Sequence, residues 1–186
     1  MQTLAELGPN WSSYFISIEP VEMLYLEQNE ARELLEDPDP EFNLGYEAGI
    51  VEEVLHITRC QPYLVQLIGE AMVKQANLHQ VRLITPPLLE VALENALTAG
   101  EPYFTNLWVE YTGEFDKPDE IAAGQRVLHA LAHGQPLPSA DEMDDATCAA
   151  IRRMVRYHLI EQDEAGAYRF EVPFVARWVR ERAVLV

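Results

Sequence analysis

Residues 146–182 read ATCAAIRRMVRYHLIEQDEAGAYRFEVPFVARWVRER, and this stretch decides the fold of the C-terminal part of the chain. Its opening has apolar residues at helical spacing, which predicts a helix over 146–159. Two short apolar runs then flank a turn that contains Gly166, a pattern typical of a β-hairpin over 159–170. A last amphipathic run, 173–182, begins with a proline, which is common at the first position of a helix. We expect three side chains of the first helix to face the core: Ile151, Val155 and Leu159.

The residues before this stretch add two more helices. An apolar stripe predicts a helix over 121–133 that ends at Gly134. Ser139 and Glu142 have the spacing of a capping box, which predicts a helix of one or two turns. Helix, short helix, helix and hairpin is the element order of a winged helix. The sequence therefore predicts a winged-helix domain over 116–186.

The preceding residues, 27–115, repeat helical patterns that are separated by prolines and glycines. An apolar stripe predicts a surface helix over 46–58, and Pro62 is well placed as the first residue of a central helix. Thr85 followed by two prolines predicts an N-cap and the first turn of another helix. We expect about five helices here, packed as a small bundle.

Residues 1–26 have a different character. They are rich in aromatic and β-branched side chains and are interrupted by Pro20, which predicts two short extended pieces. An isolated strand pair cannot bury both faces. The segment therefore either packs on the helices after it or belongs to a sheet whose other strands lie outside this chain.

Composition excludes several classes of protein. The 186 residues are 48% hydrophobic and 24% charged, which is typical of a globular protein and not of a disordered one. The two cysteines, Cys60 and Cys148, stand alone and indicate neither a disulfide framework nor a zinc module. The sequence has no signal-peptide pattern and no apolar run long enough for a membrane span. We therefore expect a cytoplasmic chain without a membrane partner.

The formal charge is −18, and it is unevenly distributed. Residues 1–115 carry 19 acidic and four basic side chains, net −15, whereas residues 116–186 carry 12 acidic and nine basic side chains, net −3. Such an excess of acid disfavours non-specific binding to phosphate backbones. The change of charge also coincides with the predicted domain boundary.

No catalytic motif occurs in the sequence. It contains none of the P-loop, dinucleotide-binding, nucleophile-elbow or zinc-protease patterns, so we expect no catalytic residue and no enzyme activity in this chain. His129 and His133 lie four residues apart on a predicted helix, but no third metal ligand is near and we expect both to face solvent. The acidic run at 141–145 lacks the glycine and distal glutamate of a calcium loop and is typical of a helix start. We expect no metal site.

Three arginines could bind a partner. Arg152, Arg153 and Arg156 lie where a winged helix presents its recognition helix, and guanidinium groups bind phosphates and guanine edges. One hypothesis is therefore a stand-alone DNA-binding regulator, and another is a protein contact through the same surface. A third hypothesis is an interaction adaptor that uses the region of Trp108 and Trp178 as an apolar patch.

The segment 58–67, TRCQPYLVQL, resembles the region downstream of the P-loop core in STAND-type and related AAA+-like ATPases. In that family a helical lid packs on the nucleotide-binding core and a winged helix follows the lid, which is the order predicted above. The likeness is strong over 11–108 and is one of pattern alone over 118–182. Further matching positions lie upstream: Trp11, Tyr14, Phe15, Glu30, Ala31, Leu35, Pro38 and Tyr46.

The resemblance implies that the P-loop and the Mg²⁺-binding acid belong to a core outside this chain, which would bind ATP or ADP with Mg²⁺. Residues 1–26 would then be remnant or edge strands of that core. In the family a proline lies against the adenine, and by position this role falls to Pro62, with Gln61 beside it. The alternative is that Pro62 is only the first residue of a helix. The likeness has two departures: the exposed positions of this helix carry no arginine, and no histidine follows the hairpin.

The function implied by the resemblance is that of a non-catalytic lid (27–115) and winged-helix segment of a nucleotide-dependent switch ATPase. Its partners would be the P-loop core in cis and a further protein. DNA stays an alternative partner.

Overall fold

The computed structural model describes residues 25–115 and 117–184. In these ranges the chain forms eight α-helices, one short 3-10 helix and two small β-sheets. The mainly helical fold with a small hairpin that the sequence predicts is confirmed. The strands expected in 1–26 fall outside the described residues, except that Tyr25 and Leu26 lie in neither helix nor strand.

Residues 25–115, called the helical half below, form five helices, of which one is central. The central helix, α3, packs against α1, α2 and α4, and it buries Leu64, Val65, Ile68 and Met72 completely. The elements in chain order are α1 (Gln28–Glu36), β1 (Gly45–Tyr46), α2 (Ile50–Thr58), α3 (Pro62–His79), β2 (Leu83–Ile84), α4 (Pro86–Ala99) and α5 (Glu101–Tyr111).

Helix α2 begins later than its apolar stripe predicts. The helix expected from residue 46 starts at Ile50, because Gly49 takes a left-handed conformation with φ at +88°. Tyr46 instead lies in β1, where it pairs in parallel register with Ile84 of β2. Its hydroxyl donates a hydrogen bond to the Leu35 carbonyl at 2.7 Å, which ties this strand to α1.

The break between α2 and α3 is confirmed, and its geometry is tight. Arg59 and Cys60 both have positive φ, at +52° and +59°, which ends α2 and turns the chain. Gln61 then caps α3, since its side chain accepts a hydrogen bond from the Leu64 amide at 2.8 Å. Pro62 is the first helical residue, where its missing N–H costs nothing.

Residues 117–184, called the hairpin half below, follow the predicted order of elements. Helix α6 packs against α7 and α8, and the antiparallel hairpin β3–β4 packs against all three helices. Ser139 and Glu142 form the predicted capping box. The elements are α6 (Pro118–Ala132), the 3-10 helix (Ala140–Glu142), α7 (Asp145–Arg156), β3 (Ile160–Gln162), β4 (Tyr168–Phe170) and α8 (Pro173–Arg182).

One inward side chain of α7 was predicted wrongly. Val155 is 40% exposed, whereas Ala150 and Met154 are fully buried. The buried face of α7 is therefore centred one position earlier than the sequence pattern indicates. Leu159 is buried as expected, but it follows the helix, because His158 turns the chain at a φ of +56°.

A single buried cluster runs through both halves. Helix α5 packs against α6 and α7, and α2 packs against α8. At the centre of the contact Phe104 of α5 stacks on Trp178 of α8, with ring centroids 5.6 Å apart, and the Trp178 indole N–H donates to Glu101 at 3.0 Å. The division of the chain into two domains at residues 115 and 116 stays a prediction.

The halves also meet through a close backbone approach. A Cβ on Gly124 of α6 would lie 2.0 Å from the Thr112 carbonyl oxygen, at the end of α5. Only glycine allows α6 to cross the end of α5 at this distance.

Among the described helices, none has both the length and the apolar composition needed to cross a membrane.

Candidate functional site

A cleft between the two halves contains Gln61, which with Pro62 is one of the two residues that the resemblance places near the adenine. It has a volume of about 280 Å³ and is called the interhalf cleft below. The helical half contributes Tyr25, Gln61, Tyr103 and Tyr111, and the hairpin half contributes Tyr157 and His158. Pro62 is half-buried beside Gln61 and is not part of the cleft lining.

Gln61 holds the start of α3 and one cleft tyrosine at the same time. Its side-chain oxygen accepts from the Leu64 amide, and its backbone carbonyl accepts from the Val65 amide at 3.0 Å. Its side-chain amide donates to the Tyr103 hydroxyl oxygen at 3.4 Å. Gln61 itself thus occupies the N–H groups of residues 64 and 65 at this helix start. The surface left for a ligand is therefore the proline ring and the neighbouring tyrosines.

Tyrosines form two close pairs here, and three of these four residues line the cleft while Tyr63 lies beside it. Tyr63 and Tyr103 have ring centroids 4.6 Å apart, and Tyr111 and Tyr157 have centroids 4.9 Å apart. Burial raises the pKa of Tyr103 to about 12, so its hydroxyl keeps its proton at neutral pH. Because that oxygen already accepts from Gln61, its proton is available to donate to a group in the cleft.

Next to the cleft, Arg59 joins the start of α3 to the hairpin half. Its Nη2 forms an ion pair with Glu161 of β3 at 2.9 Å, and its Nε donates to the Glu171 carbonyl at 3.1 Å. Arg59, Glu161 and Glu171 are called the Arg59 latch below. Arg169 of β4 shares the Glu161 carboxylate at 2.8 Å, which orients it.

Through its carboxylate, Glu171 also joins the latch to Tyr25, the first described residue. Its carboxylate accepts from the Tyr25 hydroxyl at 2.7 Å, and its other oxygen lies 3.3 Å from His158 Nδ1. Burial, with the Glu171 hydrogen bond as the second cause, raises the pKa of Tyr25. Leu26 adds a backbone bond, since its amide donates to the Cys60 carbonyl at 3.0 Å. Residues 25 and 26 are thus held between the α2–α3 turn and the hairpin half.

The three arginines of the sequence analysis do not share one surface. Arg153 contacts the helical half, because Nε and Nη2 donate to the Glu110 carbonyl at 3.3 and 3.1 Å. Its guanidinium also lies 5.4 Å from the Tyr157 ring centroid. Arg152 and Arg156 are both exposed, and Arg152 also lines a cavity beside the hairpin. One of the three is therefore committed to the contact between the halves.

The aromatic residues proposed as an apolar patch are in the core. Trp108 is 7% exposed and Trp178 is 3% exposed. They pack edge to face across the contact between α5 and α8. In the described fold these two side chains present no surface to a partner protein.

The histidines and the acidic run have structural roles. His129 and His133 stack on each other with centroids 4.2 Å apart, and no group of three candidate metal ligands occurs among the described residues. In the acidic run Asp144 caps α7, accepting from the Thr147 amide at 2.8 Å, and hydrogen bonding from the Thr147 side chain first, and from its amide second, lowers the pKa of Asp144. The run is a helix start, as expected.

Sequence reasoning missed most of the cleft. The cleft tyrosines and the latch residues come from segments up to 146 positions apart, as in the bond between Tyr25 and Glu171. Of the cleft residues, Gln61 is the one that the resemblance points to, because it stands beside the proline expected against the adenine. In three comparisons, no protein-family model, no curated protein and no solved structure matched this chain.

Proposed function

We propose that this chain is the non-catalytic lid and winged-helix segment of a cytoplasmic, nucleotide-dependent switch ATPase. A P-loop core in cis would bind ATP or ADP with Mg²⁺, and this segment would convert the nucleotide state into a change of contact with a protein partner. The helical half takes the role of the lid, and the hairpin half takes that of the winged helix. The sequence likeness over 58–67 is the first support.

One structural observation carries the proposal further: Arg59, the arginine of the latch, lies two residues before Gln61 and three before Pro62. The guanidinium bonds two hairpin-half residues, Glu161 and Glu171. Between the latch and Pro62 the chain is held by positive φ angles and by the Gln61 cap. A displacement of Pro62 therefore moves the anchor of the hairpin half.

A nucleotide base that packs against Pro62 would favour one of two arrangements of the halves over the other. The proline ring and the nearby tyrosine pair supply flat apolar surface, and the hydroxyl of Tyr103 supplies a donor. A ligand shifts such an equilibrium only by its difference in affinity for the two states. Because the latch ion pair is partly exposed, it is weak, about 0–1 kcal/mol, and a modest difference in nucleotide affinity is enough to exchange it. The buried contact of Phe104 with Trp178 stays closed, so the change we propose is local to the latch.

The proposal is tested by titrating the full chain with adenosine and, separately, with cytidine, while backbone amide signals are recorded by NMR. We expect adenosine to shift the signals of residues 61, 63 and 64 together with those of 161 and 171, because the latch joins them. Pro62→Ala should weaken this response about threefold, since it removes a small apolar contact area.

The matched control is Pro86→Ala. Pro86 is also the first residue of a helix, α4, but the residues beside it do not line the cleft, whereas Pro62 directly follows Gln61, which does. The proposal fails if adenosine leaves residues 61–64 unchanged, if cytidine produces the same shifts, or if Pro86→Ala weakens the response as much as Pro62→Ala does.

A further inference from the structure

A second cavity lies entirely within the hairpin half, far along the chain from Gln61 and Pro62. It has a volume of about 530 Å³, a size suited to a small organic ligand. It is a half-open cavity lined by the α6–α7 connection, α7 and the turn of the hairpin, and is called the hairpin cavity below. Most of its wall is apolar, with Leu131, Leu137, Met143 and Ile151 as the main contributors.

Arg152 is the cationic residue that lines the hairpin cavity, and it is exposed at the cavity's open side. Within residues 25–115 and 117–184 its guanidinium has no hydrogen-bond or ion-pair partner. No acidic residue lies one turn away on α7, where the neighbours are Cys148, Ala149, Val155 and Arg156. In a chain of net charge −18 most other arginines have a glutamate partner. These paired arginines are Arg32, Arg59, Arg153, Arg169, Arg177 and Arg182.

A second donor of the cavity is also unused. Tyr168 of β4 lines the cavity, and its hydroxyl has no partner among the described residues. By contrast, other polar groups of the wall are satisfied: Gln162 donates to the Gly166 carbonyl at 2.7 Å, and Ser139 donates to Glu142 at 2.8 Å. An apolar wall with one free guanidinium and one free hydroxyl suits a ligand with an apolar body and a single anionic end.

We propose that the hairpin cavity binds a small amphipathic carboxylate, with its hydrocarbon body against the apolar wall and its carboxylate on Arg152. A planar guanidinium matches a carboxylate through two parallel hydrogen bonds. A doubly charged phosphate fits less well, because Glu142 and Asp163 are bonded to wall residues and add negative potential. Asp163 accepts from the Ala165 and Ala167 amides in the hairpin turn.

The test is calorimetric titration of the full chain with octanoate, with octanamide as the uncharged analogue and octyl phosphate as the dianionic one. We expect octanoate to bind at one site and octanamide to bind about tenfold more weakly, because the charge-assisted bond is lost. Arg152→Gln should weaken octanoate binding by about the same factor. The matched control is Arg156→Gln, which changes an exposed arginine one turn further along α7 and should leave binding unchanged.

A local readout places the ligand. Cys148 lines the cavity and Cys60 does not, and both thiols are free. Octanoate should slow alkylation of Cys148 and leave that of Cys60 unchanged. The proposal is overturned if octanoate does not protect Cys148, if octanamide or octyl phosphate binds as tightly as octanoate, or if Arg156→Gln weakens binding as much as Arg152→Gln.

Discussion

Arg59 combines a backbone role with a side-chain role. Its positive φ helps to end α2, while its guanidinium reaches residues 102 and 112 positions further along the chain. The turn could be predicted, because Pro62 disfavours helical backbone just before it. The contacts of the side chain could not, since nothing local in the sequence says which acid will come near.

Arg59→Ala is expected to loosen the two halves without unfolding the chain. Because Arg59 is partly exposed, the loss in the free energy of unfolding should be at most about 1 kcal/mol. Amide exchange at Leu26, which is bonded to the Cys60 carbonyl beside the latch, should become faster. Arg169→Ala removes an ion pair to the same Glu161 from within the hairpin and should leave this exchange unchanged. Equal acceleration in both variants would contradict a latch role for Arg59.

The raised pKa of Tyr103 predicts that the free energy of unfolding falls with pH above neutrality. Its pKa is about 12 in the folded chain because of burial, whereas an unfolded tyrosine titrates near 10. A raised folded pKa means that the stabilisation is present below pH 10 and is lost as the pH rises from about 10 to 12. Between pH 9 and pH 11, Tyr103→Phe should lose about 1 kcal/mol less free energy of unfolding than the original chain does. Urea titrations at both pH values measure this, and parallel losses in the two proteins would contradict it.

Among the elements, those set by local signals were predicted well. The bounds of α8 follow from Pro173, and the hairpin follows from Gly166 between two apolar runs. The pair β1–β2 was not predicted, because each strand has two residues and its partner lies 38 positions away. A parallel pair of this length leaves no turn signal in the sequence. The helix expected from residue 46 begins instead at Ile50, after the left-handed Gly49.

Gly124 is the residue on which the crossing of α5 and α6 depends. Gly124→Ala places a methyl group against the Thr112 backbone, which cannot yield as a flexible side chain would. We expect a loss of about 1–3 kcal/mol in the free energy of unfolding. Gly69→Ala on α3 is the matched control, because its Cβ would meet only the end of the Leu35 side chain at 3.3 Å. Helix propensity there should offset the contact. Denaturant unfolding that ranks the two variants in the opposite order would contradict this account of the crossing.

At the scale of the whole molecule, an excess of acid is partly neutralised where the halves meet. Arg177 of α8 forms ion pairs with Glu90 and Glu94 of α4 and with Glu181 of its own helix, and its side chain is 20% exposed. The charge asymmetry between the halves could be read from the sequence. That Arg177 and Arg182 place positive charge on the acidic helical half could not, because it depends on the packing of α8.

Arg177→Ala is expected to destabilise the whole chain. It removes the cation shared by Glu90, Glu94 and Glu181, although Glu94 keeps an ion pair with Arg182, and because these carboxylates are a third to two thirds exposed the loss should be about 1 kcal/mol. Arg180→Ala, on the exposed side of the same helix, should cost less than about 0.5 kcal/mol. Urea unfolding at low salt and at 1 M salt measures both, and the difference should shrink with salt. A difference that is absent at low salt would contradict this role of Arg177.

The central claim is that this chain is the lid and winged-helix segment of a switch ATPase, and the gene it comes from tests that claim most directly. The measurement is the DNA sequence for about a thousand bases upstream of the Met1 codon, translated in frame and searched for a strand followed by Gly-x-x-x-x-Gly-Lys-Ser/Thr. We predict an in-frame P-loop there, which would make Pro62 and the Arg59 latch parts of one nucleotide-responsive unit. An in-frame stop codon and a ribosome-binding site directly before Met1 would contradict the claim.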